Sequence, residues 1–279
     1  MSQNNPLKQY FRQPVIYINL PSQGKFYPPA AIEMPANNEV PVYPMTAIDE
    51  ITYRTPDALF NGQAVVNVIQ SCIPCVKDAW AIPAMDVDTI LISIRIASYG
   101  HDMEFSSQCP NCGHEADHSL DLRTVLDKMK TPNYDNAMNV GDLEIYFKPM
   151  SYRNMNQNNK LQFQEQKMLQ QIPEMEGDEV KKAATYSSAL IKITQLTVKA
   201  LSQSLAAIKT PQAMVTDSKF LEDFLENCDR DLFNRIRDHI IEIKSGSELQ
   251  PLPMECTECK HKFEQPITLD MTSFFGDAS

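Results

Sequence analysis

Seven cysteines carry the clearest chemistry in this sequence, and six of them form three Cys-x-x-Cys pairs. Two pairs lie in the similar stretches CPNCGHE, at Cys109 and Cys112, and CTECKHK, at Cys256 and Cys259. Zinc binds four sulfur or nitrogen ligands in a tetrahedron, and a Cys-x-x-Cys turn places two sulfurs on one side. Alternating extended residues follow each pair, as in the second strand of a hairpin. The sequence therefore predicts a structural four-cysteine zinc ribbon whose two halves are far apart in the chain.

Two histidines accompany these pairs, because His114 and His261 each lie two residues after a second cysteine. Either histidine could replace a cysteine as ligand, but with four thiolates available we expect both to flank the site or to face solvent. A closed site of four cysteines has no open position for water, so its expected role is structural and not catalytic. Such a site would join residue 109 to residue 256 and fix both ends of the intervening sequence.

The third pair, Cys72 and Cys75, has no partner pair and follows an apolar helical segment. A redox dithiol places its first cysteine at the start of a helix, where the pKa of the thiol falls, whereas this pair comes at a helix end. Buried structural cysteines are therefore the favoured interpretation, and a thiol–disulfide enzyme that uses this pair stays as an alternative. Cys228 is expected in the core or at a helix cap.

Composition, charge and missing motifs argue against several classes of function. The net charge of −11 repels phosphate backbones, and residues 103–121 contain neither Lys nor Arg, so we expect no nucleic-acid binding. The sequence has no apolar run of roughly 18 residues and no apolar signal region, so we expect no membrane span and a reducing cytoplasm. The odd number of cysteines argues against a disulfide framework. The motifs G-x-S-x-G and H-E-x-x-H and a glycine-rich phosphate loop are absent, so we expect no enzyme.

Hydrophobic periodicity alternates between strand and helix along the chain. Extended segments are predicted at 15–20, 40–46 and 143–149, and a hairpin is predicted around the first cysteine pair. Short helices are predicted to start at the cap Thr46, at Thr55-Pro56-Asp57, at Gly62 and at Asp86. Longer helices are predicted at about 151–171, at about 177–205 with an apolar stripe, from Asp217 and from Asp229.

These elements predict an α+β fold: a β-rich N-terminal part, short helices, and a split four-cysteine zinc ribbon that closes around a mainly helical insert. The predicted segments are 1–100 for the N-terminal part, 101–122 for the first half of the ribbon, 123–250 for the insert, and 251–279 for the second half of the ribbon and the C-terminal tail.

Several phrases of the sequence resemble a known family. The stretches LPSQGKFYPP, VPVYPMTAIDEITYRTPDALFNGQAVVNVIQSCIP, IPAMDVDTILISIRIASYG followed by CPNCGHE, and DMTSFF resemble the baseplate hub subunit family of T-even-like contractile-tail bacteriophages. The phrases PMTAxDE and TPDALxNG are the most specific of these. The resemblance covers residues 15–123 and extends to the C-terminal corner and tail, and it does not place the central insert, about 150–245.

The resemblance implies a phage tail morphogenesis protein that is either a baseplate hub subunit or a hub assembly factor. It implies other tail and hub proteins as partners, and a location in the virion tail baseplate or in the host cytoplasm during assembly; a homo-oligomer stays open. In the segment PMTAIDEITYRTPDALFNG, the candidate partner-binding residues are Tyr53, Leu59 and Phe60, with a well-packed scaffold as the alternative. The alternative function is a cytoplasmic zinc-ribbon adaptor or regulator of phage or host machinery.

Overall fold

The computed structural model describes residues 6–54, 62–172, 179–247, 249–267 and 274–275. The chain forms two compact units. The first comprises Met1–Ala79, Asp86–Lys130 and Ser247–Ser279, and the second comprises Trp80–Met85 and Thr131–Gly246. The predicted α+β fold is confirmed, because helices accompany small antiparallel sheets in both units.

Among its described residues, the first unit holds three two-stranded antiparallel sheets. They are formed by β1 (Ile16–Ile18) with β2 (Val40–Val42), β3 (Asp102–Gln108) with β4 (Glu115–Asp121), and β9 (Leu252–Glu255) with β10 (Lys262–Gln265). The helices of this unit are α1 (Ala47–Tyr53), α2 (Gln63–Cys72), α3 (Ala84–Tyr99, which enters the unit at Asp86) and α4 (Leu122–Lys128). A 3₁₀ turn, Pro6–Tyr10, precedes β1.

The core of the first unit is built largely on α2 and α3. α3 is apolar on most of its circumference, and a helix of that kind must be enclosed on all sides. The side chains buried on these two helices include Val65, Val66, Val68, Ile69, Val87, Ile90, Leu91, Ile92 and Ile94. The two helices therefore supply many of the buried apolar side chains of this unit.

Helix α1 begins at the predicted cap. The Thr46 hydroxyl accepts a hydrogen bond from the Asp49 N–H (3.3 Å), and the Asp49 carboxylate accepts one from the Thr46 N–H (2.7 Å). This reciprocal pair is a capping box, which satisfies two of the N–H groups that a helix start leaves free. The local sequence therefore fixes where α1 begins.

The second unit contains one four-stranded antiparallel sheet of order β5–β6–β7–β8. Its strands are β5 (Met138–Val140), β6 (Leu143–Phe147), β7 (Leu205–Lys209) and β8 (Met214–Val215), and its helices are α5 (Tyr152–Gln171), α6 (Glu179–Gln203), α7 (Ser218–Asn227) and α8 (Arg230–Ser245). The buried core of this unit consists of Ile145, Phe147, Leu201, Leu205, Ile208, Leu221, Leu225, Ile236 and Ile240.

The second unit differs from the sequence-based expectation in two respects. The sequence does not predict strands β5, β7 and β8. For β7 the reason is that it pairs with β6 across two intervening long helices, so no local turn signal marks that pairing. The apolar stripe on α6 is only partly buried: Leu201 is 9% exposed, but Val180 is 76% exposed. α6 packs along α5, whose sequence is rich in Asn and Gln, so few apolar side chains are available to cover the stripe. The predicted helix start at Thr55-Pro56-Asp57 lies outside the described residues.

Candidate metal centre

The first cysteine pair lies at the tip of the β3–β4 hairpin, whose seven residue pairs run from Asp102↔Asp121 to Gln108↔Glu115. At the tip, the Cys109 N–H donates to the His114 carbonyl (2.9 Å) and the Gly113 N–H donates to the Cys109 carbonyl (2.9 Å). These bonds fold the tip into a tight corner. Both sulfurs therefore leave the hairpin from the same end.

The second pair repeats this corner at the tip of β9–β10. The Cys256 N–H donates to the His261 carbonyl (2.9 Å), and the Lys260 N–H donates to the Cys256 carbonyl (3.0 Å). The residue after the second cysteine is left-handed in both corners, with φ of +73° at Gly113 and +59° at Lys260. Glycine adopts this conformation without strain, whereas lysine does not. The two corners thus share one backbone conformation, which strains the backbone at Lys260 but not at Gly113.

The corners bring the four sulfurs of Cys109, Cys112, Cys256 and Cys259 within 4.8 Å of one another. The two closest pairs each join one corner to the other: Cys109 Sγ lies 3.6 Å from Cys259 Sγ, and Cys112 Sγ lies 3.7 Å from Cys256 Sγ. A disulfide would need about 2.05 Å. The edge of a tetrahedron with metal–sulfur bonds of about 2.3 Å is about 3.8 Å. The separations therefore match a tetrahedral four-sulfur site.

The two cysteines of each corner differ in their exposure to solvent. The first cysteines, Cys109 and Cys256, are buried, at 3% and 5% exposure, and the second cysteines, Cys112 and Cys259, are exposed. The cluster therefore has a dry side against the hairpins and a side open to solvent. A metal could enter from the open side without unfolding either hairpin.

The pKa values of the thiols bear on whether all four sulfurs can be ionised together. The Asn111 side-chain amide, 3.6 Å from Cys259 Sγ, and the His261 N–H lower the pKa of the Cys259 thiol to about 6. For Cys112, the hydrogen bond from the His114 N–H lowers the pKa of the thiol, but the neighbouring sulfurs outweigh it and raise that pKa to about 12. Four thiolates at this spacing repel one another, so full ionisation needs a cation among them.

The donor set could bind a metal ion. Among the described residues, these four cysteines are the one group of at least three Cys, His, Asp or Glu side chains arranged closely enough to hold one. Four thiolates suit metals that accept tetrahedral sulfur, and they do not suit Mg²⁺ or Ca²⁺, which take oxygen ligands. His114 and His261 are not members of the group: His114 Nε2 lies 3.3 Å from Thr257 Oγ1, and the His261 ring stacks on Phe263.

A family model described as T4 bacteriophage base plate protein matches residues 19–276, which include both corners and both units. The chain belongs to this family. Its members are baseplate proteins of a bacteriophage, so the resemblance noted in the sequence is confirmed at that level. No curated protein and no solved structure shows significant similarity to the chain. Within the described part of the chain, no helix has the length and apolar character that crossing a membrane requires.

The phrase PMTAIDE of this baseplate protein has a structural explanation. Asp49 is 7% exposed, and besides capping α1 it accepts hydrogen bonds from the Ser71 hydroxyl (3.0 Å) and the Arg12 guanidinium (3.3 Å). Arg12 also donates to the Ser71 carbonyl (2.7 Å). Asp49 thus links the N-terminal segment, α1 and α2 through its hydrogen bonds. Sequence reasoning found the cap but not the ion pair, because Arg12 is distant in the chain.

The phrase LPSQGKFYPP is anchored in a similar way. The carboxylate of buried Asp86, on α3, accepts hydrogen bonds from the Ser22 N–H (2.8 Å), the Ser22 hydroxyl (2.5 Å) and the Tyr27 hydroxyl (2.9 Å). Gly24 has φ of +77°, and a Cβ there would lie 2.7 Å from Met34 Cγ. The backbone of the loop therefore favours glycine at this point, and its polar groups are held by hydrogen bonds to the Asp86 side chain.

One of the predicted partner-binding residues is buried within the first unit. Tyr53 is 1% exposed, its hydroxyl donates to the Phe275 carbonyl (2.7 Å), and the two rings lie 5.5 Å apart between centroids. A side chain enclosed in this way offers no surface to a partner, so its burial favours the scaffold alternative for Tyr53, and its part in partner binding stays a prediction. Leu59 and Phe60, the other two candidates, lie outside the described residues.

The third cysteine pair lies at the end of α2, as its sequence position predicted. Burial raises the pKa of the Cys72 thiol to about 12, and burial also raises the pKa of the Cys75 thiol. The thiolate is the reactive form of cysteine, and a redox dithiol needs a lowered pKa. The environment of Cys72 is therefore the opposite of the one that the redox alternative requires.

Proposed function

We propose that this baseplate protein is a non-catalytic component of tail morphogenesis, either a subunit of the baseplate hub or a factor in hub assembly, and that its metal is structural zinc. The observation that carries the proposal is the convergence of four sulfurs from two distant corners in a chain of the baseplate family. Protein–protein contacts with other tail and hub proteins are then its mode of action.

Zinc is the metal that the donor set favours. Zinc accepts four thiolates in a tetrahedron, has no redox chemistry of its own, and in such sites leaves no open coordination position. The exposed and buried cysteines alternate in the same order in both corners, so all four sulfurs can point at one ion. A closed site of this type holds two hairpins together and does not present a reactive water, which supports a structural role.

Metal analysis tests the zinc part of the proposal. We expect one zinc per purified wild-type chain by mass spectrometry, loss of that zinc in Cys256→Ser/Cys259→Ser, and its retention in the matched control Cys228→Ser. X-ray absorption at the zinc edge is expected to show four sulfur neighbours at about 2.3 Å. A wild-type chain without zinc, or a double variant that keeps it, would contradict the assignment.

Co-purification tests the assembly part. A tagged chain recovered from phage-infected cells is expected to bring down tail and hub proteins. Enrichment of a host or phage polymerase in their place would favour the adaptor alternative. Peptide mass spectrometry of purified virions then separates the two forms of the proposal, because a hub subunit is present in the particle and an assembly factor is absent.

A further inference from the structure

The first unit carries exposed apolar side chains on three segments: the 3₁₀ turn with the residue after it, strand β1 with the residue before it, and helix α1. Each of these side chains is between 55% and 77% exposed. They are Leu7, Tyr10, Phe11, Val15, Tyr17, Ile48 and Ile51. We refer to them together as the N-terminal apolar surface.

Arg12 fixes the three segments relative to one another. Its guanidinium donates to the Pro44 carbonyl (2.5 Å) and to the Asp49 carboxylate (3.3 Å), so the turn that carries Phe11 is tied to the start of α1. The Val15 N–H donates to the Val42 carbonyl (2.9 Å), which extends the β1–β2 pairing. The surface is therefore a built part of the fold and not a loose terminus.

The apolar area exceeds what a monomeric protein usually leaves in water. The largest exposed apolar patch on a typical monomer covers about 300–600 Å². Seven large side chains that are more than half exposed present on the order of 800 Å², since one aromatic side chain alone offers about 150–250 Å². A standard interface buries about 800 Å² on each partner. The surface thus has the area of one side of a stable dimer.

The area suits a second copy of the same chain, and the acidic charge that would oppose self-association is scarce at this surface. The chain carries a net charge of −11, so two copies repel one another over most of their surfaces. Residues 1–32 contain Lys8, Arg12 and Lys25 and no Asp or Glu. The two acidic residues of α1 are engaged within the chain: Asp49 pairs with Arg12, and Glu50 accepts from the Tyr99 hydroxyl (2.9 Å).

We propose that the N-terminal apolar surface is the interface of a two-fold symmetric dimer, in which the same surface of each copy packs against that of the other. Such an interface is self-complementary, so it closes after two copies and leaves the remaining surface of each chain accessible. The proposal does not depend on the metal or on the hub role, and its failure would leave both of those untouched.

Sedimentation velocity over a concentration series tests the dimer. The wild-type chain is expected to sediment as a dimer, and Tyr10→Ser/Ile48→Ser is expected to raise the dissociation constant on the order of 100-fold, as loss of two central interface side chains does. The matched control is Val180→Ser/Ile191→Ser, which removes equally exposed apolar side chains from the second unit and should leave the dimer intact. Circular dichroism verifies that both variants fold.

Hydrogen exchange of the wild-type chain supplies a second measurement that needs no variant. Amides in residues 6–18 and 47–53 are expected to exchange more slowly at concentrations above the dissociation constant than below it, and those of α7 and α8 are expected to be unchanged. A wild-type chain that stays monomeric throughout the series overturns the proposal. A dimer that survives Tyr10→Ser/Ile48→Ser but is lost in the control, or protection confined to the second unit, overturns it as well.

Discussion

Replacing Asp86 by asparagine should make the protein gain stability relative to wild type as pH rises from acid to neutral, although it alters a buried hydrogen-bonded group. Burial raises the pKa of the Asp86 carboxyl from 3.8 to about 6, against the opposing effect of its hydrogen bonds from Ser22 and Tyr27. The carboxylate is therefore held in its charged form at neutral pH in a place that disfavours charge. An amide of the same shape carries no charge and can still hydrogen-bond both hydroxyls.

The sign and the size follow from proton linkage. The pKa of the Asp86 carboxyl in the folded chain lies above its value in the unfolded chain, so the protonated carboxyl stabilises the fold. This contribution to the free energy of unfolding is fully present below pH 3.8 and is lost as pH rises through about 6. At about 1.4 kcal/mol per pKa unit, the loss is about 3 kcal/mol. The asparagine side chain does not titrate, so the free energy of unfolding of Asp86→Asn relative to wild type should rise by about 3 kcal/mol across this window.

Urea unfolding of both chains at about pH 4 and about pH 7 measures most of this difference, because at about pH 4 the unfolded carboxyl is already partly ionised. Protonation of the cysteine ligands at the lower pH weakens metal binding equally in both chains, so its effect cancels. Asp142→Asn, which removes an exposed carboxylate, controls for the change in net charge and should show little of the pH-dependent gain. A variant that loses stability relative to wild type as pH rises would refute the reasoning, since it would mean that the three hydrogen bonds outweigh burial.

Three further perturbations have defined outcomes. Tyr53→Phe should lower the free energy of unfolding by about 1–3 kcal/mol, because a buried carbonyl 2.7 Å away loses its donor; urea unfolding measures this, and no change would contradict the contact. Lys260→Gly should stabilise the chain by about 0.5–1 kcal/mol by relieving a left-handed backbone, while Gly113→Ala in the matching corner should destabilise it; thermal unfolding of the pair compares them, and equal effects would contradict the correspondence. Chelation of the metal should speed hydrogen exchange in both cysteine-bearing hairpins and leave exchange in the sheet of the second unit unchanged. Loss of protection throughout the chain would contradict this, since it would show that the core does not stay folded without metal.

Local signals predicted those parts of the molecule whose causes are local. The capping box at the start of α1 needs only Thr46 and Asp49, which are three residues apart, and the structure forms it as predicted. The convergence of the cysteines was also within reach, since two similar Cys-x-x-Cys corners with similar flanks need one another to complete a four-ligand site. In both cases the chemistry of a few neighbouring residues leaves one satisfactory arrangement.

The parts that escaped prediction depend on residues far apart in the chain. Tyr53 stands among charged residues and looks exposed in the sequence, but its enclosure depends on Phe275, 222 positions later. The pairing of β6 with β7 likewise depends on register between strands that two long helices separate. The stripe on α6 has the pattern of a buried face, and only the polar character of its neighbour α5 explains why much of it stays in solvent.

The two corners of the metal centre are made at different times. Folding during synthesis proceeds from the N-terminal end, so Cys109 and Cys112 are available before Cys256 and Cys259 exist. Two sulfurs bind an ion far less tightly than four. Bringing the second corner to the first costs loop-closure entropy, which grows only with the logarithm of the length of the intervening segment. Zinc bound as proposed would therefore fill the centre late and only on chains translated past the second corner, so its occupancy would distinguish chains that carry both corners from chains truncated between them.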